Sequence, residues 1–217
     1  MYNHLLFDLD GTLTDPKEGI TNSIVHALHK MEITAPAHNE LVHFIGPPLK
    51  DSFEKDYGLY GDDNMRALKF YREYFADQGL YENIVYPGIE DLLNSLKENG
   101  YHLYVATSKP IDYAKIILDH FSLSHYFDGI AGSELNGTRN QKSDVIQHLI
   151  EEFELPQKKC VMIGDRKHDL IGAELNQIDA IGVLYGYGSS EELSSYPAVA
   201  LITDVASLKS YFLEPEV

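Results

Sequence analysis

Cysteine is almost absent: Cys160 stands alone in 217 residues. No disulfide can form within the chain, so an oxidising compartment is not being exploited. Positive charge is also scarce, with 17 Lys and Arg against 34 Asp and Glu and a net charge of −17. With that balance no obvious basic surface is available to release counterions from a phosphate backbone, so no nucleic acid polymer is expected as a partner. An anionic lipid surface is disfavoured by the same sign. A phosphate-bearing ligand would be repelled at long range, and a phosphate site must therefore carry its own cation and lysines. No apolar run reaches the length of a membrane span, and the chain opens on a strand pattern rather than a leader pattern. No membrane partner is expected, and the expected setting is cytoplasmic. The ten histidines show no His-x-x-x-His helix pattern beside the lone cysteine, which argues against zinc. Internal repeats and low-complexity tracts are missing.

What is present reads as a folded protein, with 44% hydrophobic and 24% charged residues. The length suits one sizeable core with a smaller insert. Short apolar runs predict strands at 4–8, 101–107, 129–132, 160–164, 180–184 and 200–203. Helical patterns at 89–99, 112–120, 142–153 and 170–176 fall between the later ones. Strand and helix in alternation predict an α/β fold, a doubly wound parallel sheet with helices on both faces. Ligands of such sheets gather at the carboxyl ends of the strands. From 16 to 80 the rhythm breaks. Ile20, Ile24, Leu28 and Met31 recur at helical spacing, as do Met65, Leu68, Phe70 and Phe75, which predicts a small helical insert. The expected organisation is a core of 1–15 and 81–217 with an insert of 16–80. Pro47 and Pro48 should make a rigid turn between two of its helices. Its tyrosines, among them Tyr57, Tyr60, Tyr71 and Tyr74, can pack the insert, line a substrate mouth or meet a partner.

The stretch HLLFDLDGTLTD places Asp8 and Asp10 two residues apart at a strand end, where their side chains share one side. Two carboxylates that close repel unless a cation lies between them, although a solvated turn before Gly11 explains them as well. A second cluster, MIGDRKHD, sets Asp165 and Asp169 just past another apolar run, four apart at a helix start. Helix capping accounts for one of them more easily than for two. Four carboxylates in one crevice require a hard cation, and an all-oxygen set suits Mg²⁺. Thr107 and Ser108 in VATSKP offer a hydroxyl and backbone N–H groups to an anion; the plainer reading is a strand-to-helix turn with Pro110 opening the helix. Lys142 in RNQKSD stands at a helix start, where the macrodipole disfavours a cation, which hints at a task against the plainer solvated lysine. Cys160 and Arg166 fit Cys-x5-Arg, but the five residues between include an apolar strand and an aspartate, so Cys160 is expected to be a buried thiol. Gly186-Tyr187-Gly188 lacks a third glycine and reads as a loop after a strand.

Asp8-Leu-Asp-Gly-Thr-Leu-Thr, Thr107-Ser-Lys, Lys142 and Gly164-Asp-Arg-Lys-His-Asp169, in that order, resemble the four motifs of the haloacid dehalogenase superfamily. The branch resembled is that of the phosphoglycolate phosphatases, and the segment FIGPPLKDSF looks like that branch's cap. The resemblance implies a Rossmann-like core with an inserted helical cap, and a Mg²⁺-dependent phosphatase acting on a small phosphorylated metabolite. Phosphoglycolate or a nucleoside 5′-monophosphate is the implied substrate class, with a phosphomutase acting on sugar phosphates or a pyrophosphatase as the alternative. It implies Asp8 as nucleophile and Asp10 as the group that protonates the leaving oxygen and then activates water. Mg²⁺ would be held by Asp8, the backbone carbonyl of Asp10 and Asp165, with Asp169 supporting the site. Thr107, the Ser108 backbone and Lys142 would neutralise the transferring group. Lys50, in the cap, would read an anionic group of the substrate, and the assembly would be a monomer or homodimer.

Overall fold

Four apolar-rich residues near the start of the chain become the centre of its sheet. The structure is a computed structural model that describes residues 2–214. In chain order the elements are β1 (His4–Phe7), β2 (Thr14–Asp15), α1 (Lys17–Lys30), α2 (Leu49–Tyr57), α3 (Gly61–Tyr74), β3 (Ile84–Val85), α4 (Ile89–Glu98), β4 (His102–Pro110) and α5 (Ile111–His120). There follow β5 (Gly129–Ser133), α6 (Lys142–Glu152), β6 (Cys160–Gly164), α7 (Lys167–Leu175), β7 (Asp179–Val183), α8 (Ser190–Ser194), β8 (Ala200–Ile202) and α9 (Val205–Leu213). Six strands pair in the order β5-β4-β1-β6-β7-β8, every pair parallel. The order reverses at β1, which is where an open parallel sheet leaves a crevice beyond its strand ends.

Both faces of the sheet are covered, and the alternation of side chains shows it. Leu6, Met162 and Ala180 point to one face and join Val145, Ile146 and Leu149 of α6 and Leu170 and Ala173 of α7 in one core. The intervening Leu5, Phe7, Leu103, Val105, Val161 and Ile163, which point the other way, are fully buried too. Truncating one of these side chains to alanine would cost about 2–5 kcal/mol. Among the described residues no helix is long and apolar enough to cross a membrane.

The chain divides into two compact units, Met1–Asp15 with Val85–Val217, and Pro16–Ile84. The second runs past residue 80, where the sequence pattern placed its end. After α3 the chain makes a turn of π-helix, Phe75–Gly79, and Glu82 is then tied back to α1. Its carbonyl accepts from the Gly19 N–H at 2.9 Å, and its carboxylate from Asn22 at 3.0 Å and the Tyr74 hydroxyl at 2.9 Å. Within this unit α1 buries Ile20, Ile24 and Leu28. The expected stripe holds at Leu68 and Phe75, which are buried, but Met65 is exposed and Phe70 half-buried; Asn64, Ala67 and Tyr71 complete the buried face of α3. Asn64 holds that place because its amide donates to the carbonyls of Lys50 and Leu59. Tyr71 stacks on Phe75 and Tyr57 packs against Phe44 and Phe53, while Tyr60 is exposed.

Two local expectations need correction. β1 ends at Phe7, so Asp8 and Asp10 lie in the turn after the strand and not on its last pleats. β4 continues to Pro110, with α5 opening at Ile111; a shift of register against β5 between Ala106 and Pro110 lets the strand carry through.

Candidate active site

Beyond the end of β1 the chain turns sharply, because the N–H groups of Thr12, Leu13 and Thr14 all reach the carbonyl of Leu9. Gly11 sits in this turn at φ +87°, and a Cβ there would lie 2.2 Å from the Asp165 carboxylate. Only glycine meets both demands. The turn carries Asp8 and Asp10 beside the residues that follow β6. Asp8, Asp165 and Asp169 are all buried, and each offers a carboxylate oxygen within 4.8 Å of the others.

Lys142, the first residue of α6, is almost fully buried. Its ammonium lies 2.7 Å from Asp8 Oδ1 and 2.8 Å from Asp169 Oδ1, and donates to the Ala106 carbonyl at 2.8 Å. Burial opposes its charge, but the carboxylates of Asp169 and Asp8 outweigh this and raise its pKa. Asp10 is held apart from the trio, its Oδ2 lying 2.5 Å from Lys109 Nζ. Thr107 is buried, Ser108 half-buried, and the Thr107 hydroxyl oxygen accepts from the Lys109 N–H at 3.2 Å. Lys50 belongs to the other unit, where it is exposed and 3.9 Å from Glu54.

The carboxylates are under electrostatic stress. Burial raises Asp165 well above the usual range, and Asp169 and Asp8 add to the effect. Burial likewise pushes Asp169 up to about 6 despite Lys142, and raises Asp10 despite Lys109. Four buried carboxylates face two buried ammoniums here. With all four ionised the imbalance would be two negative charges, and the donors are hard oxygens, so the residues present fit a divalent cation.

A family model described as haloacid dehalogenase-like hydrolase matches residues 5–183. The chain belongs to this family. It is 48% identical over 208 residues to the 5′-nucleotidase of Pseudomonas aeruginosa, covering 96% of this chain and 94% of that protein. It is 35% identical to the tyrosine-protein kinase PtkA of Mycobacterium tuberculosis, over 94% of this chain and 69% of that one. Among solved structures, a predicted phosphatase from Clostridium acetobutylicum superposes with a TM-score of 0.96 at 47% identity, over 99% of this chain and 100% of the other.

This haloacid dehalogenase-like site also holds residues that the sequence pattern passed over. Lys109 is one: it lies within the Thr107-Ser-Lys motif but was given no role there, and it is buried against Asp10. The loop Gly186-Tyr187-Gly188 is another. The Tyr187 N–H donates to Asp165 Oδ2 at 2.7 Å, the Tyr187 hydroxyl donates to Asp15, and a Cβ on Gly186 would lie 2.4 Å from Asp165 Cβ. Tyr185 donates to the Thr12 carbonyl at 3.0 Å and meets Tyr86 edge-on. Burial, with Asp15, Asp165 and Asp10 behind it, holds the Tyr86 hydroxyl above its ordinary range. Glycine spacing was the available signal for this loop, but the contact to Asp165 is made by a backbone N–H, which no residue type announces. Cys160 opens β6 at the opposite end of that strand from Asp165, and burial pushes its thiol up to about 11. A thiol shifted in that direction is a poor nucleophile, so the Cys-x5-Arg pattern has no phosphatase loop behind it.

Proposed function

We propose that this chain, a phosphoric monoester hydrolase of its family, takes a nucleoside 5′-monophosphate as its substrate class and transfers the phosphoryl group to Asp8. The observation that carries this reading is how Asp8 is held. The Leu9 N–H donates to Asp8 Oδ1 at 2.7 Å and Lys142 approaches the same oxygen at 2.7 Å. One oxygen is thus anchored, and Oδ2 is oriented to attack phosphorus.

In the first step the Oδ2–P bond forms as the bond from phosphorus to the ester oxygen breaks, and Asp10 gives its proton to that oxygen. In the second step Asp10 takes a proton from water, which attacks phosphorus and frees Asp8. A carboxyl raised by burial suits the acid half of this cycle. Lys142, Thr107 and the Ser108 N–H neutralise charge on the transferring group. Asp8, Asp165 and the Asp10 carbonyl, with Asp169 beside them, would hold Mg²⁺, whose charge lets an anionic nucleophile meet a phosphate dianion. Lys50 would read an anionic group only on a substrate such as phosphoglycolate, because a nucleoside 5′-monophosphate carries none besides the phosphate that is transferred. The nucleotide class is favoured over phosphoglycolate by the 48% identity, over nearly the whole of both chains, to a protein named 5′-nucleotidase.

Phosphate release is to be measured from nucleoside 5′-monophosphates, phosphoglycolate, sugar phosphates and pyrophosphate, with Mg²⁺ and with chelator. The reading expects the nucleotides to give the highest kcat/KM, Mg²⁺ to be required, and Asp8→Asn to be inactive. Higher kcat/KM on phosphoglycolate would overturn the substrate class, and full activity of Asp8→Asn would overturn the mechanism.

A further inference from the structure

Two buried lysines serve this site, and they are not equivalent. The Lys142 ammonium donates to the Ala106 carbonyl and pairs with Asp8 and Asp169. Its ion pairs go to those two carboxylates and not to Asp10. Lys109 holds Asp10, with Nζ 2.5 Å from Asp10 Oδ2 and both side chains buried. The other oxygen, Asp10 Oδ1, is buried and has no hydrogen-bond partner among the described residues. A carboxylate that serves the fold can pair through both oxygens. Asp128, elsewhere in the protein, does so with Lys97 on both oxygens and the Leu103 N–H on Oδ2. Asp10 instead has one oxygen pinned and one bare, which is the arrangement a proton-transfer group needs if it is to be aimed and still reactive.

We propose that Lys109 is a positioning residue for proton transfer: by gripping Asp10 Oδ2 it turns Asp10 Oδ1 toward the ester oxygen. This rests on the reading of Asp10 as the acid and base of the reaction. The backbone prepares the lysine for the task. Its N–H is capped by the Thr107 hydroxyl oxygen, and the register shift between Ala106 and Pro110 lies at this point of β4. Thr107 and Lys109 are both buried, with the half-buried Ser108 between them.

The leaving group supplies the test. Aryl phosphates such as p-nitrophenyl phosphate release a stable anion and need little protonation, whereas an alkyl phosphate or a nucleoside 5′-monophosphate needs its leaving oxygen protonated. Kinetics at saturating Mg²⁺ are to be measured for the wild type, Lys109→Gln, Lys109→Arg, Asp10→Asn and the double variant Lys109→Gln/Asp10→Asn. Lys109→Gln should lower kcat about 100-fold on alkyl esters and less than about threefold on the aryl ester, with KM nearly unchanged. Lys109→Arg should recover about tenfold of the alkyl loss. With Asn at position 10 the lysine has nothing to aim, so the double variant should match Asp10→Asn within about threefold.

Equal losses on alkyl and aryl esters, or a raised KM on both, would mean that Lys109 binds phosphate or supports the fold, and would overturn the proposal. Additive losses in the double variant would do the same. If Lys109→Gln fails to fold because a lone buried carboxylate remains, the double variant carries no such charge, and its comparison with Asp10→Asn still decides. A failure of the underlying reading shows separately: Asp10→Asn would then lose no more on alkyl than on aryl esters, whatever Lys109 does.

Discussion

The two ends of one sheet treat charge in opposite ways. At the amino end, His4 stacks on His102, and Asp128 gathers His102, Lys97 and the Leu103 N–H. Burial opposes ionisation of Asp128, but those partners prevail and its pKa falls. At the carboxyl end, Asp10, Asp165 and Asp169 also have partners, yet burial prevails and all three rise. The residue type is the same; the supply of cations and water differs. The amino end is a screened surface arrangement, whereas the carboxyl end is a deficit of positive charge built into the fold, which protonation or a bound cation would relieve.

The harshest way to break the comparison is to remove the nucleophile. Asp8→Asn should reduce phosphate release by about 10⁴-fold or more, while circular dichroism shows a folded protein. Lys142→Met should come next, losing about 10²- to 10⁴-fold in kcat and about 3–5 kcal/mol of stability, because it strands Asp8 and Asp169 without their cation. Urea unfolding and steady-state rates measure the two losses.

A third test uses pH on metal-free protein. Asp169 has its folded pKa at about 6, above the ordinary 3.8. Its contribution to stability is therefore full in acid and is lost as pH rises from about 4 to about 6, a change of about 2–3 kcal/mol. Asp128, depressed, behaves oppositely: its contribution is full above the ordinary value and is lost only as pH falls through the lower folded one. Melting temperatures of the wild type and Asp169→Asn across this range should diverge, the variant giving the flatter profile, and Mg²⁺ should stabilise the wild type more at pH 7.5 than at pH 5. Parallel profiles would show that the carboxyl end is not under stress.

The smallest effects belong to the amino end. Asp128→Asn should cost under about 1 kcal/mol, since its pairs are partly exposed. Cys160→Ser should leave kcat/KM within about twofold, and iodoacetamide should alkylate the native thiol slowly at pH 8 because burial keeps it protonated.

The sheet was legible in the sequence because a strand buried on both faces reads as a continuous apolar run, as at Cys160–Gly164. Lys142 was legible through its local cost, a cation at a helix start, and the structure shows what outweighs that cost. The role of Lys109 was not, although the motif Thr107-Ser-Lys contains it, since a lysine before proline looks like any exposed turn until the strand is seen to continue through it. Tyr187 was hidden for another reason: its contact with Asp165 is made by the backbone. The α3 stripe was read correctly at Leu68 and Phe75 but not at its start, because Asn64, a polar residue, takes an inward place by bonding two carbonyls, while the apolar Met65 faces out.

The central position of β1 has a consequence for how the protein comes into being. His4 pairs with His102 on one side and with Cys160 on the other, and the turn after β1 is completed only when Tyr185 and Tyr187 arrive. On a ribosome, the first strand made is therefore among the last to be satisfied. The unit Pro16–Ile84 lies wholly within the earlier part of the chain, so all of it is made while β1 waits. Long separations of this kind slow folding, and here they also keep Asp8 and Asp10 in water, away from Asp165 and Asp169, until the lysines that offset them have been synthesised.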